Sequence, residues 1–121
     1  MILVDTSVWI DHLRAGDDAL AELLDQGKVL AHPFVIGELA LGKLTKRNII
    51  LGTLRDLPQA AVATDDEVLQ FIERHELFGH GIGYVDAHLL AALRLTGGAS
   101  LWTRDKRLCS AAHHAQIATV E

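Results

Sequence analysis

A single cysteine, Cys109, leaves the chain with no possible internal disulfide. It sits in the helical pattern Leu108-Cys109-Ser110-Ala111-Ala112, which suits a buried, inert thiol in a reducing compartment. No apolar run approaches the roughly 18 residues of a membrane span, and the N-terminus lacks the basic, apolar and small-residue zones of a secretory signal. A cytoplasmic protein without membrane attachment is therefore expected. Zinc-ligand spacing is missing as well: His113 and His114 are adjacent, while His12, His32, His75, His80 and His88 are scattered. These histidines read as ordinary surface or core residues. Repeats, low-complexity tracts and linkers are absent, so one domain spanning residues 1–121 is the expectation.

Positive charge is scarce. Eleven Lys and Arg against sixteen Asp and Glu give a formal charge of -5, which at first argues against a polyanionic partner. Apolar residues, in contrast, make up 50% of the chain, a high share for a domain whose surface fraction must be large. Part of that apolar surface is expected to meet other chains.

The periodicity alternates between two patterns. Ile2-Leu3-Val4 is apolar on both faces and leads at once into the helical spacing of Val8, Trp9 and Leu13. A second helix carries Leu20, Leu23 and Leu24 on one face, with Asp18, Glu22 and Asp25 forming a solvated stripe on the other. Val29-Leu30-Ala31 predicts a second strand, and Pro33 opens a helix expected to reach about Leu44. Another helix is expected from Arg47 to Asp56. A third strand is predicted over residues 60–63, followed by a capping box of Thr64 and Glu67 ahead of Val68, Phe71 and Ile72. A glycine-rich connection over residues 77–83 precedes a strongly apolar helix from Tyr84 to about Leu95, closed by Gly97-Gly98. Leu101-Trp102-Thr103 predicts a fourth strand, Asp105 starts a helix, and residues 117–120 form a candidate last strand. Strands alternating with helices imply an α/β domain with a parallel sheet covered on both faces.

In such sheets the functional crevice lies beyond the carboxyl ends of the strands, where strand order reverses. Asp5 and Asp105 both fall there, and a helix N-cap is the structural alternative for each. Glu38 has Phe34, Val35 and Leu41 as helical neighbours, and Asp86 shares a stripe with Leu89, Leu90 and Leu93. An unpaired carboxylate on a buried face costs several kcal/mol, so such groups neutralise, pair or bind a metal. Four converging acids would repel one another unless a divalent cation neutralised them, and hard oxygen ligands suit Mg²⁺ or Mn²⁺. The four account for most of the formal negative charge, so the acidity is local.

Val4-Asp5-Thr6-Ser7-Val8-Trp9-Ile10, Gly37-Glu38-Leu39, Tyr84-Val85-Asp86-Ala87-His88-Leu89 and Leu101-Trp102-Thr103-Arg104-Asp105-Lys106-Arg107-Leu108 together resemble the ordered acidic motifs of PIN-domain nucleases, in particular the VapC-type ribonuclease toxins of bacterial toxin-antitoxin pairs. The resemblance covers essentially the whole chain. It implies a PIN-like sheet of about five parallel strands, Mg²⁺ (or Mn²⁺) as cofactor, hydrolysis of RNA phosphodiester bonds, homodimerisation, and inhibition by a cognate antitoxin. On this reading Asp5 and Asp86 are metal ligands. Glu38 binds through metal waters or orients the attacking water, and Asp105 completes the site or serves a second metal. The hydroxyls of Thr6, Ser7 and Thr103 hydrogen-bond around them.

Two other functions remain open at this level: a catalytically idle PIN-like binding module, and a haloacid-dehalogenase-like phosphatase. The phosphatase needs a second Asp two residues after the first, where this chain has Ser7. A receiver domain would need an acidic pair near the first strand and a Lys after the last, and neither is present. Gly79-His80-Gly81-Ile82-Gly83 lacks phosphate-loop spacing and reads as a turn. Lys43, Lys46 and Arg47, with Arg104, Lys106 and Arg107, flank the stretches bearing Glu38 and Asp105, either as phosphate contacts or as solvated surface. Trp9 and Trp102 read as core.

Overall fold

The computed structural model describes residues 1–120. β1 (Ile2–Val4) runs into α1 (Thr6–Ala15), followed by α2 (Asp18–Asp25), β2 (Val29–Leu30), α3 (Pro33–Ala40), α4 (Arg47–Asp56), α5 (Asp65–Arg74), α6 (Tyr84–Thr96), β3 (Ser100–Trp102) and α7 (Lys106–His114). The strands are parallel in the order β2-β1-β3, with Ile2 opposite both Val29 and Ser100. Successive strand residues point to opposite faces, yet Leu3 and Val4 are both fully buried. Both faces of the sheet are therefore covered, as the doubly apolar strand patterns require.

The expected five strands are present as three strands and two single bridges. Beyond β2, Ala31 bridges Gln59; beyond β3, Leu101 bridges Thr119. The segment over residues 60–63 does not form the predicted strand, because after Ala60 bonds to Ala31 the N–H of Ala61 turns to the Thr96 hydroxyl at 3.0 Å. The last segment makes two ladder bonds to Leu101, and Gln116, with φ 60°, turns the chain just before it. α3 also stops four residues short of the expected end. Gly42 closes a tight turn onto the Leu39 carbonyl, and Lys46 adopts a left-handed conformation before α4. The capping box of Thr64 and Glu67 forms with both reciprocal bonds, at 3.1 and 2.9 Å. No helix among the described residues is long and apolar enough to cross a membrane.

The central position of β1 matters most for the site. The chain leaves β1 towards β2 on one side and returns to β3 on the other, so the crevice opens beyond the carboxyl ends of β1 and β3.

Candidate active site

Asp5 follows β1 directly, caps α1 and is only 6% exposed. Its Oδ2 accepts the Ser7 hydroxyl at 2.7 Å, the Thr103 hydroxyl at 2.8 Å and the Ser7 amide at 3.4 Å. Each hydroxyl in turn accepts a backbone N–H: Ser7 from Arg104, Thr103 from Asp105, both at 3.0 Å. The start of α1 and the start of α7 are thus joined through one carboxylate oxygen. Asp105 caps α7, with its Oδ1 accepting the amides of Arg107 and Leu108. The N-cap and the site readings of Asp5 and Asp105 are not alternatives, since one oxygen of each serves the helix and leaves the other.

Asp86 lies in the first turn of α6, where its Oδ2 accepts the Gly83 amide at 3.2 Å. Glu38, in α3, accepts the Thr6 hydroxyl on Oε1 at 2.9 Å. Glu38 is exposed, contrary to the burial expected from its neighbours: α3 buries the stripe of Val35 and Leu39, while Leu41 is 90% exposed. The burial argument holds for Asp86, which is half-buried, and not for Glu38.

Burial raises the Asp86 pKa above the ordinary carboxyl range; the Gly83 amide opposes this, and the negative charges of Asp5, Asp105 and Glu38 reinforce it. The other three predicted acids therefore act on Asp86 across the crevice. Because the folded state holds this proton more tightly than the unfolded chain, the group favours folding at low pH and loses that contribution as pH rises through its folded pKa. Asp86→Asn is expected to flatten that loss and raise the melting temperature of the metal-free protein at neutral pH. A variant that melts with the wild-type pH profile would show that folding does not raise the Asp86 pKa.

The sequence model of the PIN domain matches residues 2–114. The chain belongs to the PIN-domain family. It is 53% identical over 121 residues to "Ribonuclease VapC32" of Mycobacterium tuberculosis, in both the CDC 1551/Oshkosh and the H37Rv strains, covering 100% of this chain and 98% of the relative. Among solved structures, FitAcB from Neisseria gonorrhoeae superposes with a TM-score of 0.68 at 21% identity, covering 100% of this chain and 97% of the other. FitAB bound to the IR36 DNA fragment gives 0.67 at 18% identity, covering 99% and 94%. These last two establish the fold alone.

PIN-domain ribonucleases generally use divalent metal ions, and the acids of this PIN domain suit one in charge and donor type. Each of the four carboxylates has one oxygen holding a protein donor and the other holding none among the described residues. No ion pair among those residues reaches any of the four. As the side chains stand they line an open crevice rather than a cage, since no three His, Cys, Asp or Glu groups among the described residues close around a common point.

Arg104, which the sequence offers either as a phosphate contact or as solvated surface, is held in ion pairs. It pairs with Asp11 and, at 2.6 Å, with Asp17, and lies over the Trp102 ring. A groove of about 590 Å³ runs between α1 and the α3–α4 turn, lined by Ile10, Leu13, Leu39 and Ile50 with Arg14 and Lys43, and reaching Glu38. It lies on the two helices, those following Asp5 and Pro33, that the sequence reading offers for an antitoxin segment, and Ile10 is exposed beside it.

Proposed function

We propose that this PIN domain is a metal-dependent endoribonuclease of the toxin type, hydrolysing RNA phosphodiester bonds with Mg²⁺ or Mn²⁺ in the cytoplasm. The observation that carries this is the set of four carboxylates at the strand ends, each with an oxygen facing no protein donor and none with a cationic partner. Asp5 and Asp86, the two least exposed, are the proposed metal ligands. The cation, when bound, activates water and offsets charge in the transition state. Ser7 and Thr103 fix Asp5 through Oδ2 and leave Oδ1 for the metal. Thr6 orients Glu38 towards the position from which water would attack, and Asp105 completes the site. Lys43, Lys46, Arg47, Lys106 and Arg107 are candidate phosphate contacts around the crevice.

The name of the mycobacterial relative supports RNA as substrate. Regulation by an antitoxin is supported by the groove between α1 and α3–α4, which offers an apolar channel for an amphipathic helix and ends on Glu38, where a basic side chain could enter the acidic site. Homodimerisation is proposed from the apolar surplus.

Dialysis against EDTA is expected to abolish cleavage of RNA, and Mg²⁺ to restore it, whereas a zinc-selective chelator should leave the rate unchanged because the four proposed site residues offer only hard carboxylate oxygens. Undiminished cleavage after exhaustive EDTA treatment would overturn the metal-dependent reading.

A further inference from the structure

The chain has only six aromatic residues of the Phe, Trp and Tyr types. Trp9 and Phe71 are buried, and Phe34 and Trp102 half-buried. The two exposed ones, Phe78 at 63% and Tyr84 at 47%, line the same depression of about 210 Å³, shaped by residues 77–83 and the start of α6. Large aromatic surface left in water at one place on a small domain needs a partner.

The walls of the depression are tied to the elements around them. The Tyr84 hydroxyl donates to Asp65 at 2.9 Å, and its ring meets His88 edge-on. Gly81 has φ +77°, and a Cβ there would come within 3.1 Å of the Arg107 Cδ, so the loop lies directly against the Arg107 side chain. The depression also adjoins the acids. Gly83, in its wall, donates to Asp86, and Arg107 donates its amide to Asp105. Arg107 is exposed and forms no ion pair among the described residues, unlike Arg104. Aromatic faces, one free guanidinium and two flanking members of the acidic set therefore share one surface.

We propose that this depression takes one unpaired nucleobase of the RNA beside the bond to be cut, stacked on Phe78, with Arg107 holding an adjacent phosphate. The inference rests on the ribonuclease reading and adds how the strand is positioned. Stacking on an aromatic face tolerates any base, so the subsite registers a single-stranded nucleotide rather than a sequence. The volume lies below the roughly 300 Å³ of ordinary small-molecule sites, which fits one base rather than a dinucleotide. A paired base inside a duplex could not enter, which directs the site to single strands and loops.

The test is the affinity of a short, labelled single-stranded oligoribonucleotide, measured in Mg²⁺ on an Asp5→Asn background to keep the RNA intact. Phe78→Ser is expected to weaken binding about tenfold, and Phe78→Trp to restore it. Arg107→Gln should lower the logarithmic salt slope by about one, the signature of one lost phosphate contact. An RNA carrying an abasic position at the preferred register should bind the chain with Phe78 intact weakly and be insensitive to Phe78→Ser. In the cleaving protein, Phe78→Ser should raise KM more than it lowers kcat. Equal affinities with and without the Phe78→Ser substitution, in a protein that still cleaves RNA, would overturn the subsite and leave the nuclease standing. A protein that cleaves no RNA yet shows the Phe78 dependence of binding would overturn the nuclease reading instead.

Discussion

Asp5→Asn is expected to lower RNA cleavage by more than about a hundredfold while the chain stays folded. Loss of a group that merely orients a metal ligand already costs about 10- to 100-fold, so loss of a ligand should exceed that range. The fold should survive because Asn retains a carbonyl oxygen for the Ser7 and Thr103 hydroxyls and caps helices about as well as Asp. Removing one of four mutually repelling charges should, if anything, raise the melting temperature without metal. Thr103→Val provides the contrast: it keeps all four acids, strips one donor from Asp5, and should cost less activity. The readouts are the single-turnover rate on RNA and thermal melting by circular dichroism. A wild-type rate in the Asn variant would remove Asp5 from the proposed metal site.

The second large effect concerns stability. His32 is fully buried at the N-cap of α3, where its Nδ1 accepts the Phe34 amide at 3.0 Å. That bond fixes the proton on Nε2, which has no partner among the described residues. Burial, reinforced by nearby His88, pushes the His32 pKa down to about 4. The unfolded chain, with an ordinary imidazole near 6.5, binds the proton first. Stability is therefore fully present above about pH 6.5 and falls as pH drops towards 4, by about 3 kcal/mol in total. That is a large share of the roughly 5–15 kcal/mol typical of a folded domain. Asp86 works in the opposite direction over acidic pH, and Asp17, held below its usual range by the Leu20 amide and Arg104, loses its contribution only at lower pH. The His32→Asn variant isolates the effect, since Asn keeps a cap acceptor and does not titrate. Urea unfolding at a series of pH values should show a shallower decline between about pH 6.5 and 4 for this variant than for the wild-type chain, and parallel curves would refute the assignment.

Most of the architecture was legible in the sequence because its signals are local. Pro33 at the start of α3, the Thr64–Glu67 box and the glycines after α6 each act within one helical turn, and α4 has the expected bounds. What was not legible depends on distant partners. The segment over residues 60–63 has strand-like composition, but the Thr96 hydroxyl takes one of its amides. Glu38 was singled out for a buried setting it does not have, because periodicity gives the faces of a helix without saying which face meets a neighbour. Its contact with Thr6, 32 residues earlier in the chain, is what brings it to the crevice. His32 carried no sequence signal at all: a histidine before Pro33 gives no hint that it caps a helix and is sealed from water.

The bond from Thr103 to Asp5 spans 98 positions of the chain, and β3 pairs with β1 alone among the strands that precede it. A growing polypeptide therefore makes Asp5 long before the Thr103 hydroxyl that helps to fix its Oδ2, and the carboxylate is without that bond until β3 has been added to β1.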